Sequence, residues 1–184
     1  TEHLEKIKNL DGGSLLFTGH LANWEIPGIP LVTSGLPISF VYRAPNNPIV
    51  DRLISKTRSR GVTSNAFPKG SSGAREIIRQ LKNGGYAAML VDQKMNDGIS
   101  VPFFGIQAMT APALAQLAFK YNLPIWPVRT ERLNGCRFRV TIYPCLNFTR
   151  TDNLKSDITG AMTQVNSILE EWIREHPAQW LWLH

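Results

Sequence analysis

Cysteine is scarce in this sequence, and long apolar runs are absent. The two cysteines, Cys136 and Cys145, show neither metal-ligand spacing nor a second pair. They read as reduced thiols of a cytoplasmic compartment, not as a disulfide framework. The longest purely apolar stretches, such as YAAMLV at Tyr86–Val91, are the length of a strand, and no signal peptide or transmembrane helix is visible. There is no Gly-x-Ser-x-Gly elbow, no P-loop, no Gly-x-Gly-x-x-Gly and no His-Glu-x-x-His. The chemistries those motifs mark therefore find no support. The four histidines, His3, His20, His176 and His184, are too scattered to suggest a metal site, and nothing calls for a cofactor. Internal repeats and low-complexity tracts are missing too.

What is present describes an ordinary globular chain. Its 184 residues are 43% hydrophobic and 18% charged, enough for one domain with a real core and too short for two. Residues 1–184 are read as that single domain. The net charge of +6 is uneven: nine Lys or Arg lie between Arg43 and Lys82 against Asp51 and Glu76, and six between Lys120 and Arg150 against Glu131. Such a surface is either a set of solvated helix faces or a face for an anionic partner: nucleic acid, phospholipid headgroups or an acidic protein.

Apolar runs of strand length alternate with segments of helical period. Strands are expected at Ser14–Thr18, Ile38–Tyr42, Tyr86–Asp92, Ile125–Thr130 and Phe138–Tyr143. Helices are expected after Asn23, over Asn47–Arg60, Gly73–Asn83, Ala111–Tyr121 and Asn153–Glu175. The last carries Ile158, Ala161, Met162, Val165, Ile168, Leu169 and Trp172 on one stripe. This alternation predicts an α/β domain with a mixed, largely parallel sheet flanked by helices.

The chemically suggestive residues begin at GHLANWE. His20 ends an expected buried strand, where α/β proteins place their sites, and a neutral imidazole can accept a proton. Glu25, about one helical turn on, could fold back to orient and charge-stabilise it, as the acid of a triad does. The plainer alternative is a turn histidine and a first-turn glutamate favoured by the helix dipole. Three polar clusters follow in apolar surroundings: SFVYRAPNNP, VDQKMNDG and VPFFG.

Taken together, HLANWE, FVYRAPNNPIVDRLI, MLVDQKMNDGISVPFFGIQAMTAPALAQLA, LPIWPVRTERLNGCRFRVTIYPCL and REHPAQWLWLH resemble, in order and approximate spacing, the late acyltransferases of lipid A biosynthesis. These lauroyl and myristoyl transferases are a branch of the glycerolipid acyltransferase superfamily with its His-x4-Asp/Glu motif. The resemblance covers essentially the whole chain. It implies transfer of a fatty acyl group from acyl carrier protein to a hydroxyl of a lipid A precursor, at the cytoplasmic face of a bacterial inner membrane. His20 would be the general base and Glu25 its orienting acid, with no acyl-enzyme, metal or cofactor.

The same resemblance puts Arg43 where the superfamily has its substrate-binding arginine and leaves Arg58 and Arg60 as alternatives for a second. Asp92 and Gln93 match the family's Asp-Gln, for a sugar hydroxyl or an arginine, with a loop-capping aspartate as the competing reading. Phe103 and Phe104 are read as groove lining for an acyl chain, with core packing as the alternative. Trp172, Trp180 and Trp182 suit either a membrane interface or a packed C-terminal anchor. The basic regions would face acyl carrier protein or anionic lipid. Family members usually add a membrane-anchoring N-terminal helix and a basic C-terminal tail, so the chain is expected to be a catalytic core. A lysophospholipid or other glycolipid acceptor is the nearest alternative. A nucleic-acid-binding domain is suggested by charge alone, and its motifs are missing.

Overall fold

The structure is a computed structural model describing residues 2–42, 45–58, 65–68 and 70–182. Its centre is a six-stranded sheet of order β3-β2-β4-β1-β7-β8. The strands are β1 (Ser14–Thr18), β2 (Ile38–Tyr42), β3 (Asn65–Pro68), β4 (Tyr86–Leu90), β7 (Ile125–Asn134) and β8 (Arg137–Ile142). All neighbours are parallel except β7 and β8, which form an antiparallel edge. A two-stranded antiparallel ribbon, β5 (Lys94–Phe103) and β6 (Ile106–Thr110), stands apart from the sheet. The helices are α1 (Glu2–Lys8), α2 (Gly28–Thr33), α3 (Pro48–Arg58), α4 (Ser71–Lys82), α5 (Ala113–Tyr121) and α6 (Leu154–Glu175).

The expected α/β class is what the chain forms. β1 is buried at every position, as befits a central strand covered on both faces. Leu15 and Phe17 turn to the core that includes Ile77 of α4, Leu114 of α5 and Leu169 of α6, while Leu16 faces a second core with Ile7, Leu31 and Trp126. α6 begins at Asn153, whose side chain accepts the Ser156 N–H at 3.1 Å. It buries Ala161, Met162, Val165, Leu169, Trp172 and Ile173, close to the expected stripe.

Four parts of the chain depart from expectation. The helix expected after Asn23 starts late. Ile26 precedes Pro27, which disfavours helical backbone there, and α2 begins only at Gly28. α1 and the short β3 are additional. The largest departure is residues 94–110, where no strand is expected and the β5–β6 ribbon forms. Its turn, Phe104-Gly105, has φ of 50° and 77°, the pair of positive values that a two-residue hairpin with the twist of its strands requires. The Phe104 N–H donates to Glu170 Oε1 at 2.7 Å, and Arg174 lies over the Phe104 ring. Asn166, buried on α6, donates to the Pro102 carbonyl at 3.0 Å and to Thr110 Oγ1 at 3.3 Å. The ribbon thus hangs from α6.

After α6 the chain makes a short 3-10 turn at Pro177–Gln179 and becomes a strap across the loop that follows β1. The Ala22 N–H donates to the Gln179 carbonyl at 2.6 Å, and the Leu181 N–H to the His20 carbonyl at 2.9 Å. The Gln179 amide is itself clamped on β7, accepting from the Arg132 N–H at 2.8 Å and donating to the Arg132 carbonyl at 3.0 Å. At the root of the strap, buried Arg129 donates to Glu175 Oε2 at 2.5 Å and lies over the Trp172 ring. Burial works against the Arg129 charge, but hydrogen bonds to Glu175 and Tyr143 and the charge of Glu131 outweigh it and raise its pKa. The same bond from Arg129 holds the Glu175 carboxyl below its ordinary 4.5.

A carboxyl lowered on folding stabilises above its unfolded pKa and stops doing so as pH falls through the folded value. Glu175→Gln should therefore melt at a lower temperature than wild type near neutrality. The gap should close as pH falls below the ordinary glutamate value and through the lowered folded one. Thermal melts across that range check it; a gap independent of pH would mean that the ion pair does not anchor the strap.

Candidate active site

The register of the two central strands builds the site. β1 and β4 pair in parallel with Thr18 opposite Leu90. Two residues on, at the carboxyl edge of the sheet, the chain places His20 beside Asp92. Gly19 permits the approach: a Cβ there would lie 3.1 Å from both Asp92 Oδ2 and Leu169 Cδ2. His20 Nδ1 lies 2.6 Å from Asp92 Oδ1, and the His20 backbone N–H donates to Oδ2 at 2.7 Å. Trp180 Nε1 donates to the same Oδ2 at 2.9 Å. The Asp92 side chain is 1% exposed and that of His20 10%.

A carboxylate only accepts hydrogen bonds, so Nδ1 is the donor and Nε2 the lone-pair nitrogen. Among the described residues Nε2 has no hydrogen-bond partner. Trp24 packs edge-on to the imidazole with ring centroids 4.8 Å apart. The result is an oriented imidazole, supported from behind by a buried acid, on a side chain that is 10% exposed. Such a unit can take a proton from a hydroxyl and return it to a leaving group.

The carboxylate on the imidazole is that of Asp92; the expected pairing of His20 with Glu25 is not formed. Glu25 Oε1 instead accepts from Arg58 Nη2 at 2.5 Å and Nε at 3.1 Å. The Arg58 guanidinium lies over the Tyr42 ring, 5.5 Å from its centroid. The late start of α2 explains the difference. Residues 23–27 form turns instead of the helical turn that would have brought Glu25 back to the imidazole.

Of the other expected site residues, Gln93 is exposed directly after Asp92. Phe103 and Phe104 sit at the ribbon turn with centroids 4.8 Å apart, and Phe103 meets Trp180 at 6.0 Å. Trp180 stacks on Trp182 at 5.5 Å. The two phenylalanines therefore join an aromatic wall that reaches Asp92 through Trp180. Arg43 and Arg60 lie outside the described residues. Sequence reasoning assigned no site role to Trp180 or Gln179. An indole in a short polar tail after a long helix was the available signal, since a buried indole N–H needs an acceptor.

Comparison with known proteins bears on what this edge acts upon. The family model described as bacterial lipid A biosynthesis acyltransferase matches residues 1–184. A lipid A biosynthesis acyltransferase of Haemophilus influenzae is 26% identical over 187 residues, covering 99% of this chain and 56% of that protein. The lipid A biosynthesis palmitoleoyltransferase of Escherichia coli K12 is 25% identical over 191 residues, covering 100% and 58%. Lipid A biosynthesis acyltransferase 2 of Shigella flexneri is 21% identical over 187 residues, covering 99% and 57%. The chain thus spans little more than half the length of these relatives. Because the family model runs the length of the chain, through the histidine loop, the aspartate and the tryptophan strap alike, this chain belongs to the bacterial lipid A biosynthesis acyltransferases.

Proposed function

We propose that the chain is the catalytic core of an O-acyltransferase that moves a fatty acyl group from acyl carrier protein to a hydroxyl of a lipid A precursor. The reading places this at the cytoplasmic face of the bacterial inner membrane. The observation that carries it is the His20–Asp92 pair, an imidazole with one nitrogen on a buried carboxylate and the other without a partner among the described residues. In this mechanism Nε2 removes the acceptor's hydroxyl proton as its oxygen attacks the thioester carbonyl. The tetrahedral intermediate then collapses, the carbon–sulfur bond breaks, and the imidazolium returns the proton to the departing thiolate. Asp92 keeps the proton on Nδ1 and balances the imidazolium charge. Glu25 acts at one remove, holding Arg58 beside the loop for an anionic group of the substrate. Arg43 and Arg60, Gln93, and the wall of Phe103 and Phe104 are assigned to substrate binding.

α3 supports the membrane assignment. None of its residues is buried, and Ile49, Val50 and Leu53 are 75%, 42% and 66% exposed. At 100° per residue these three share one face, and Arg52 and Lys56 flank it, the pattern of a helix lying in an anionic interface. No described helix is long and apolar enough to cross a membrane. Arg75 and Lys82 of α4, together with the basic residues of α3, offer a cationic surface to an acidic carrier protein.

Mass analysis of product from the full-length protein, a lipid A precursor and acyl carrier protein thioesters tests the reaction. His20→Ala should cost ~10²–10⁴-fold in turnover while the protein still binds donor and melts cooperatively. Asp92→Asn should fall by ~10²-fold or more, because the amide no longer enforces the tautomer or the charge. Glu25→Gln should act mainly on KM. A His20→Ala protein with a tenth of normal turnover would remove the base.

Vesicle flotation tests α3: Ile49→Glu with Leu53→Glu should weaken binding of the full-length protein to anionic vesicles while leaving its melting temperature unchanged. Equal flotation would show that the helix does not face lipid. Acyl carrier protein binding should weaken with salt and with charge reversal at Arg75 and Lys82, since exposed charges are screened over ~8–10 Å at physiological ionic strength. Calorimetry insensitive to both would sink that docking surface.

A further inference from the structure

Among the described residues Asp92 has three donors, of which two come from His20 itself: its Nδ1 at 2.6 Å on Oδ1 and its backbone N–H at 2.7 Å on Oδ2. The third, on Oδ2 at 2.9 Å, is the indole N–H of Trp180, 88 residues away. With the Asp92 side chain 1% exposed, bulk water is not at hand to replace a missing donor. The two contacts from His20 tie the carboxylate only to the histidine and its loop, with which it can shift; the third, from a different part of the fold, fixes its plane. Oδ1 then stays aligned with Nδ1.

Trp180 is itself held on several sides. It stacks on Trp182 and meets Phe103 and Phe104 of the ribbon turn, with centroids 5.5, 6.0 and 6.4 Å away. Its backbone bridges Leu21. Its neighbours Gln179 and Leu181 bond the carbonyls and N–H groups of residues 20–22. The Gln179 amide in turn grips Arg132 of β7. The strap therefore fixes the His20 loop through its backbone and the acid behind it through one side chain. The chemical type matters as well. An indole N–H donates and cannot accept, so it offers the carboxylate a contact that cannot reverse direction.

We propose that Trp180 is a positioning residue of the acyl transfer: its indole N–H holds the Asp92 carboxylate in the plane that keeps the proton on His20 Nδ1 and leaves Nε2 open. This rests on the reading of His20 as the base. Trp180 touches neither reacting atom in this account and acts through Asp92.

The test uses the full-length protein labelled with 15N-histidine, the His20 signals being assigned by their loss in His20→Ala. In wild type His20 should show the Nδ1–H tautomer alone. Two replacements at 180 are compared: Trp180→Phe, and benzothienylalanine, which keeps the bicyclic shape and puts sulfur in place of the N–H. The second keeps the question answerable if phenylalanine leaves the wall too poorly packed to fold. Both should convert His20 to a mixture of tautomers and lower kcat about tenfold, a fraction of what a general base supplies. KM for donor and acceptor should stay within about twofold, the split expected when substrate binding is untouched.

A retained Nδ1–H tautomer in the benzothienyl protein overturns the proposal, whatever the turnover. So does a mixed tautomer with undiminished kcat in a protein that His20→Ala inactivates. If His20→Ala is itself active, the base reading fails, and a tautomer that still follows the indole N–H leaves the Trp180 contact established as the device that sets the imidazole.

Discussion

The parallel pairing of β1 with β4, with Thr18 opposite Leu90, is the constraint on which the site depends. Side chains alternate along a strand, and neighbouring strands lie about 4.8 Å apart. Residues at equal offsets past two paired strand ends therefore emerge as neighbours. His20 and Asp92 are such residues. Their meeting needs no loop of special shape on the Asp92 side, only the absence of a Cβ at Gly19, where one would press on the carboxylate at 3.1 Å. A slip of one residue in this pairing would exchange Leu15 and Phe17 with Leu16 between the two cores, so core packing defends the same register that the site requires.

A carboxylate buried to this degree needs compensation. Among the described residues no lysine or arginine supplies it. Asp92 is compensated instead by the imidazole, a backbone N–H and an indole, and the Arg58–Glu25 ion pair is separate. The imidazole is therefore one of the donors that a buried carboxylate needs in place of water. The strap that delivers the indole is anchored at both ends of its turn, by Arg129 with Glu175 before it and by Gln179 on β7 within it.

Much of this was legible before the fold was known. The bounds of β1 and β2 coincide with the apolar runs that announced them, and the face of α6 followed from helical period, because burial leaves its mark at fixed spacing. The β5–β6 ribbon left no such mark. KMNDGISVPF carries Asp97, Gly98 and Pro102 where a strand would normally carry alternating apolar residues. Its stability comes from α6 through Asn166 and Glu170. Glu25 was misplaced for a related reason: His-x4-Glu suggests a carboxylate one helical turn away, and Pro27 prevents that turn. Both aspartate and histidine stood out in the sequence, but their partnership is a matter of strand register, which sequence alone does not display.

The separation of the site's parts along the chain has a consequence for how the protein comes into being. Asp92 lies 72 residues after His20, and Trp180 a further 88 after Asp92. Chains tend to fold from the N-terminus as they are made, so the two central strands can pair while α6 is still being synthesised. At that stage the buried acid lacks its indole, the His20 loop lacks its backbone partners, and the face of β1 that α6 will cover is open to water. Each of these deficits is corrected by the same late event, the docking of α6 and the strap that follows it. Newborn chains should consequently pass through a compact stage in which the His20–Asp92 pair is incompletely held, a stage that ends when α6 and the strap dock.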